Sequence, residues 1–325
     1  MDYLSIIRKP IEAEMDDFVR LFNDSLAHET GLLDQVLTHI RQRGGKRMRP
    51  LLLMLTAKNY GAISDVSLNA ALGLELLHTA SLVHDDVVDE SAERRGQASV
   101  NASYNNKVAV LVGDYILSTA LLRVSLSDNQ RIVQQLARLG QILAAGEVLQ
   151  LSNISNQEIS EDVYYQVINK KTAALFEACS VLGAISVGAS EDDIEKARKF
   201  GHNVGMIFQI RDDIFDYFPS PQIGKPSGND MLEGKLTLPA IHCVLEANDP
   251  DITALAMRVK QHNASQHDIR QLVNFTLDNG GIEYAEQQMH RLHADAMKYI
   301  NERVGQSDIN QALTAYLNYC IQRNI

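Results

Sequence analysis

The distribution of proline constrains the fold more than any other feature of this sequence. The seven prolines are Pro10, Pro50, Pro219, Pro221, Pro226, Pro239 and Pro250, and none lies between Leu51 and Phe218. Proline in a helix interior removes a hydrogen bond and clashes with the preceding turn, at about 3 kcal/mol. A proline-free run over about half the chain therefore suits consecutive helices. The regular Gly/Asn/Pro punctuation that short strands need is missing from it. The apolar pattern agrees. Asp65 to Val88 is apolar nearly all round, as in a helix buried in a bundle. Ser160 with Glu161 and Asp162 reads as an N-cap and acidic first turn, opening a helical pattern to about Val187. Ser190 with Asp193 is a weaker capping box ahead of Ile194 to Tyr217, and Asp128 reads as the cap of a helix through Leu151. Phe218 to Gly234 is the longest loop signal, and Leu236 to Ile325 reads as amphipathic helices. With no repeat, low-complexity segment or composition break, the expectation is one all-α domain over residues 1–325.

Hydrophobic residues make up 45% of the 325, which excludes global disorder. A net charge of −11 argues against a general nucleic-acid binder, which needs a basic surface to displace counterions. Cys179, Cys243 and Cys320 form neither a zinc spacing nor a disulfide framework, and fit a reducing cytoplasm. Met1 to Pro10 lacks the apolar core of a signal peptide. The longest weakly polar stretch is read as Ala178 to Ala189, short of the ~20 residues a bilayer span needs. A soluble protein without a transmembrane segment is expected.

Two aspartate clusters carry the chemistry. Asp85-Asp86-Val87-Val88-Asp89 closes the buried helix, and Asp212-Asp213-Ile214-Phe215-Asp216 repeats the i, i+1, i+4 arrangement near the end of another. Residues at i and i+4 share a helix face, so the carboxylates repel one another, and they lie toward the negative end of the helix dipole. Something cationic should compensate. Hard oxygen ligands suit Mg²⁺, which commonly binds one or two carboxylates plus substrate phosphates. One such cluster could be a solvated helix end; two, each on an otherwise apolar helix, argue against that. Gln209 stands one turn before Asp212 on the same stripe.

Basic residues surround these clusters. Gly44-Gly45-Lys46-Arg47-Met48-Arg49-Pro50 precedes an apolar run, and Lys46 and Arg49 could clamp a phosphate. The P-loop pattern is absent. Arg94-Arg95-Gly96 follows the first cluster, Lys170-Lys171-Thr172 lies on the helix opened by Ser160, and Lys225 and Lys235 flank the loop after the second cluster. Each pair alone reads as solvated surface; their repeated placement beside acidic clusters does not.

Assembled in this order, the sequence resembles the trans-prenyltransferases, the polyprenyl (isoprenyl) diphosphate synthases. The resemblance runs through GGKRMRP (44–50), HDDVVDESAERRG (84–96), GEVLQL (146–151), Lys171-Thr172, FQIRDDIFD (208–216), GKPSGND (224–230) and EGKLTLP (233–239). It implies a single-domain antiparallel helical bundle around a deep central cavity, usually a homodimer. It also implies a reaction in which three Mg²⁺ ions, held by the two aspartate motifs, bind the diphosphate of an allylic substrate such as farnesyl diphosphate. The diphosphate departs, the double bond of isopentenyl diphosphate attacks the allylic cation, and a proton is lost. Metal ions with Lys and Arg stabilise the departing charge, and an apolar pocket protects the cation from water.

By motif position, the resemblance implies Asp85, Asp86, Asp89, Asp212, Asp213 and Asp216 as metal ligands or their close support. Arg94, Lys171, Lys225 and Lys235 should contact the allylic diphosphate, with Thr172 and Gln209 near the reacting centre. Lys46, Arg49, His78 and Arg95 should hold isopentenyl diphosphate. Product length in this family is limited by bulky residues four or five positions before the first motif. Here Ala80 and Ser81 are small, implying a medium or long product of the octaprenyl class, with a cavity floor around Leu121, Leu122 or Val124; the DDVVDES segment and the overall pattern most resemble bacterial octaprenyl-type synthases that make quinone side chains. Three other readings carry less: a shorter-chain farnesyl or geranylgeranyl synthase, a terpene cyclase, and a non-catalytic partner subunit. The cyclase usually lacks a second full DDxxD and the isopentenyl site, and the partner subunit typically loses the aspartates. The six motif aspartates account for more than half of the net charge of −11, so the acidity excludes only phosphate ligands bound without metal.

Overall fold

The apolar run from Asp65 to Val88 forms one helix with those bounds, opened by a reciprocal capping box between Ser64 and Ser67. The structure, a computed structural model, describes residues 2–42, 44–94, 96–155, 158–218, 228–302 and 307–322. In chain order the helices are α1 (Tyr3–Arg8), α2 (Glu12–Ser25), α3 (Gly31–Gln42), α4 (Met48–Tyr60) and α5 (Asp65–Val88). A two-residue hairpin follows, β1 (Glu93–Arg94) with β2 (Gln97–Ala98), the only strand pair among the described residues. Then come α6 (Val100–Ser103), α7 (Asn106–Ser125), α8 (Gln130–Ser155), α9 (Glu161–Ile168), α10 (Ala174–Ser186), α11 (Glu191–Phe215) and α12 (Asn229–Leu232). The C-terminal part holds α13 (Leu238–Ala247), α14 (Pro250–Lys260), α15 (Gln266–Asp278), α16 (Gly281–Asn301) and α17 (Ser307–Gln322). The all-α expectation holds.

The chain forms two compact units. The first comprises residues 1–140, 178–198 and 303–316. In it α5 packs along α7, with α4 and α2 beside α5. Its core is mostly aliphatic: Leu52, Leu53, Leu72, Leu74, Leu76, Ile116 and Val124 are fully buried, with Phe18 among them. Tyr316, also fully buried, donates its hydroxyl to the Met48 carbonyl at 2.9 Å and ties the end of the chain to α4. The second unit comprises residues 141–177, 199–302 and 317–325. Tyr217, Met231, Val244, Leu255, Val259 and Leu272 form one of its clusters. Phe200 stacks on Tyr299 at 4.5 Å, and Phe176 meets Phe208 at 4.9 Å.

Three features differ from the sequence reading. First, the cap of α8 is Asn129, whose Oδ1 accepts the N–H groups of Arg131 and Ile132 at 3.1 and 3.4 Å. Asp128 instead takes a left-handed conformation at φ 50° that turns the chain into the helix. Second, the pattern from Ser160 to Val187 is helical, but a π-turn at Asn169–Ala173 divides it into α9 and α10. Third, α5 and α7 are both long and apolar enough to cross a membrane by length and composition. The reading of Ala178 to Ala189 as the longest such stretch missed them because a few polar residues break each run. In α5 67% of the apolar window is buried inside the protein; in α7 only 33% is, and Val110, Leu111, Leu121 and Leu122 are exposed. Of the loop signal at Phe218 to Gly234, residues 219–227 lie outside the described residues, and α12 forms near its end.

The cap assignment is testable by urea unfolding. Asn129→Ala should cost about 1 kcal/mol, the usual price of losing an N-cap side chain. Asp128→Gly, which relieves a positive φ, should leave the midpoint unchanged or raise it.

Candidate active site

In the first unit the aspartate motif sits where α5 stops. Asp85 and Asp86 occupy its last turn and Asp89 is the C-cap residue. Helical spacing points them differently: Asp86 is fully buried, Asp85 half-buried and Asp89 exposed. Asp86 Oδ1 accepts a charge-assisted bond from Arg94 Nε at 2.6 Å. Asn101 pins the same corner by donating to the main-chain oxygens of Asp86 and Ser91, each at 3.1 Å. One acid of the motif is thus turned inward and orients Arg94 on its hairpin strand.

Lys46 is exposed ahead of α4, Arg49 is half-buried in the first turn of α4, and His78 is buried on α5. Sequence reasoning passed over Arg47 and Glu75. Arg47 has φ 50°, lies 4.0 Å over the Phe22 ring, and pairs with Glu75 Oε1 at 3.1 Å. The signal was available: Glu75 is an acid within the otherwise apolar Leu74–Leu77, one turn before His78. Ala80 is buried, and Ser81 donates its hydroxyl to the His78 carbonyl at 2.9 Å. Of the three residues expected near the cavity floor, Leu121 and Leu122 are exposed, while Val124 is buried against Gly73.

The second unit holds a cleft of about 180 Å³. Lys171, Thr172, Gln209, Asp213 and Lys235, five of the residues the sequence singled out, line it together. The π-turn presents Lys171 and Thr172. Such turns inside helices are frequent at functional sites. Two glycines let neighbouring helices approach it: a Cβ on Gly205 would lie 2.6 Å from Ala173 Cα, and one on Gly146 3.2 Å from the Lys171 nitrogen. Lys171 Nζ bridges both Glu147 oxygens at 2.7 and 2.9 Å, and Lys235 Nζ meets Glu233 at 2.6 Å.

Asp212 is half-buried; Asp213 is buried at 3% exposure. Both oxygens of Asp213 are engaged, Oδ2 by the Tyr164 hydroxyl at 2.5 Å and Oδ1 by Gln209 Nε2 at 2.8 Å. Thr172 donates its hydroxyl to Gln209 Oε1 at 2.6 Å. Asp216 accepts the N–H groups of Asn229 and Asp230 at 3.0 and 3.1 Å, which holds the start of α12. Burial, reinforced by the Asp230 charge, pushes Asp213 up to about 8. Burial and the Asp216 charge push Asp230 up to about 7. Sequence reasoning also missed Tyr164, Asp230 and Lys260. Lys260 is 4% exposed, lines the cleft, and donates to the Glu158 carbonyl; burial lowers its pKa. Its position at the end of an ordinary amphipathic helix gave no signal. Arg95 and Lys225 lie outside the described residues.

Among the described residues no three Asp, Glu, His or Cys side chains converge closely enough to enclose an ion. The partly exposed carboxylates of Asp85, Asp89, Asp212 and Asp216 are of the hard-oxygen kind that Mg²⁺ takes one or two at a time, completing its shell with water and substrate phosphates.

An all-α chain with two acidic helix ends and a lysine-lined cleft has the parts of a metal-assisted transferase of diphosphate substrates. The signature of the Polyprenyl synthetase family matches residues 30–276. The chain is 35% identical to the octaprenyl diphosphate synthase of Haemophilus influenzae, covering 99% of this chain and 98% of that protein. Among solved structures, it is 48% identical to a geranylgeranyl pyrophosphate synthase from Bacteroides thetaiotaomicron, with TM-score 0.87 over 99% of this chain and 100% of that one. A polyprenyl synthase from Caulobacter crescentus, complexed with calcium and isoprenyl diphosphate, is 30% identical, with TM-score 0.90 and 98% of both chains covered. The chain belongs to the polyprenyl synthetase family, and it is a prenyltransferase.

The two raised carboxyls predict a pH dependence. Their folded pKa values lie above the usual carboxylate value of 3.8. Between pH 4 and 8 the native state therefore holds protons that the unfolded chain has lost, so their contribution to stability falls as pH rises. Metal-free protein should lose stability from pH 5 to 8 more steeply than its Asp230→Asn variant, and Mg²⁺ with inorganic diphosphate should flatten the difference. Thermal unfolding across that range measures it.

Proposed function

We propose that this chain is an all-trans-polyprenyl diphosphate synthase that condenses isopentenyl diphosphate head-to-tail (1'-4) onto an allylic diphosphate such as farnesyl diphosphate. The observation that carries this reading is the convergence of Lys171, Thr172, Gln209, Asp213 and Lys235 on one cleft. Mg²⁺, as three ions with the substrate diphosphate, would supply charge stabilisation for the departing group. Asp85, Asp89, Asp212 and Asp216 are the carboxylates suited to hold it, because they are not turned fully into the protein. Asp86 and Asp213 support them from buried, hydrogen-bonded positions. Lys171 and Lys235, with Arg94 and Lys225, bind the allylic diphosphate. In the bound state their ammonium groups exchange Glu147 and Glu233 for phosphate oxygens. Lys46, Arg49, His78 and Arg95 bind isopentenyl diphosphate.

Residues 1–325 act as one synthase domain in the cytoplasm, a reading supported by a family match that spans both compact units. The assembly is a homodimer, and the exposed Val110, Leu111, Leu121 and Leu122 of α7 are the apolar surface a second copy would cover. The product is octaprenyl-class and serves quinone side chains. Small side chains at Ala80 and Ser81, and similarity to the Haemophilus enzyme, support this length. The 48% identity to a geranylgeranyl pyrophosphate synthase favours a second reading, a twenty-carbon product from the same chemistry.

Chromatography of the products formed from farnesyl and isopentenyl diphosphates with Mg²⁺ separates the two. Chains near forty carbons are expected, whereas a distribution ending at twenty would establish the shorter reading. Ala80→Phe should shorten the product while condensation continues. An unchanged distribution would remove Ala80 from the chain-length wall.

A further inference from the structure

In the first unit, α5 ends in a Schellman turn. The Ser91 N–H reaches the Asp86 carbonyl at 2.9 Å, and the Glu90 N–H reaches the Val87 carbonyl at 3.4 Å. This turn places a left-handed residue directly after the C-cap, and glycine takes that conformation without steric cost. Here the C-cap is Asp89 and the left-handed residue is Glu90, at φ 50°. An L-residue in that region brings its Cβ too close to the following carbonyl oxygen. The turn that carries Asp89 therefore needs support from outside the helix.

Asn101 supplies that support. Its Nδ2 donates to the carbonyls at the two ends of the turn, Asp86 and Ser91. The Asp86 oxygen thus accepts from both Asn101 and the Ser91 N–H, and the Ser91 oxygen from both Asn101 and the Ser99 hydroxyl, the latter at 2.6 Å. Each carbonyl has both lone pairs filled. The same chemistry fixes the amide's orientation: turned over, Oδ1 would face two oxygens that only accept. Oδ1 itself is buried and makes no hydrogen bond among the described residues, a cost that an apolar residue at this position would not carry. Asn101 stands on α6, whose N-cap is Ser99. The clamp therefore spans the hairpin, and Arg94, bonded to Asp86, lies inside that span.

We propose that Asn101 is a positioning residue for diphosphate binding: by clamping the strained turn at Glu90, it fixes the C-cap Asp89 and the hairpin residue Arg94 in one arrangement before the ligand arrives. The inference rests on the function proposed above, in which Asp89 holds Mg²⁺ and Arg94 the allylic diphosphate. A preset arrangement spares the cost of ordering the turn on binding. A side chain that merely stabilised the fold would act differently. Its loss would lower the unfolding temperature and leave the affinity of the folded protein unchanged.

The test uses the full-length chain well below its unfolding temperature. Calorimetric titration with inorganic diphosphate in saturating Mg²⁺ reads affinity, and amide hydrogen exchange of the metal-free protein reads the turn. Asn101→Ala should weaken diphosphate about 10–100-fold, the usual effect of losing a group that orients a ligand's direct contacts, and should speed exchange of the Ser91 N–H. Glu90→Gly alone should leave affinity unchanged, because Asn101 already holds the turn. Added to Asn101→Ala, it should recover about fivefold in affinity and slow the exchange again, since glycine enters the left-handed region freely. Wild-type affinity in Asn101→Ala, or a loss that Glu90→Gly does not reduce, overturns the proposal. If Asn101→Ala does not fold, Asn101→Ser, which keeps a single donor, must show a smaller loss with the same recovery. Wild-type protein that forms no prenyl product would instead overturn the proposed function, and the exchange rates still judge the clamp.

Discussion

Each aspartate motif depends on how a buried carboxylate is kept tolerable at the end of a long helix. An unpaired ionised carboxylate taken out of water is destabilising by several kcal/mol. Each motif meets this differently. In the first, Asp86 is fully buried and meets a full positive charge, the Arg94 guanidinium. In the second, Asp213 meets two neutral donors, Tyr164 and Gln209, but burial and the Asp230 charge outweigh them and push its pKa up to about 8. The inward aspartate of each motif thereby becomes a fixed point from which other groups are aimed: Arg94 in one unit, Gln209 and Thr172 in the other. The other aspartates of the motifs, Asp85, Asp89, Asp212 and Asp216, stay partly exposed.

Much of this was legible in the sequence because it depends on local rules. The absence of proline, the Ser160 cap and the all-round apolar run of α5 gave the helices, in the case of α5 to the residue. The i, i+1, i+4 spacing marked both acidic helix ends. The spacing did not say which aspartate turns inward, because that depends on partners outside the motif: Arg94, across the hairpin turn, for Asp86, and Tyr164, forty-nine positions away, for Asp213. The Asp128–Asn129 exchange has a similar cause. Both residue types cap helices, and the choice was made by a backbone φ that neither side chain announces.

The π-turn was also hidden, since Asn169–Ala173 carries an ordinary helical pattern. Its cause is visible only in packing, where Gly146 and Gly205 allow backbone-level contact around Lys170, Lys171 and Ala173. Lys171 and Thr172 owe their presentation to that widened turn. Lys260 and Glu75 show the converse. A charged residue buried on an otherwise ordinary helix can be found in sequence only where its neighbours are uniformly apolar, as for Glu75 and not for Lys260.

In the proposed function the partly exposed aspartates hold metal and diphosphate, while the inward ones organise the surrounding groups. The most direct measurement is incorporation of labelled isopentenyl diphosphate into an allylic chain by wild type, Asp85→Asn and Asp212→Asn, with Mg²⁺ and with a chelator. Incorporation should require Mg²⁺ and fall roughly a hundredfold or more in each variant, the scale of losing a group that stabilises transition-state charge. Incorporation that survives the chelator, or that either variant leaves intact, would contradict the claim.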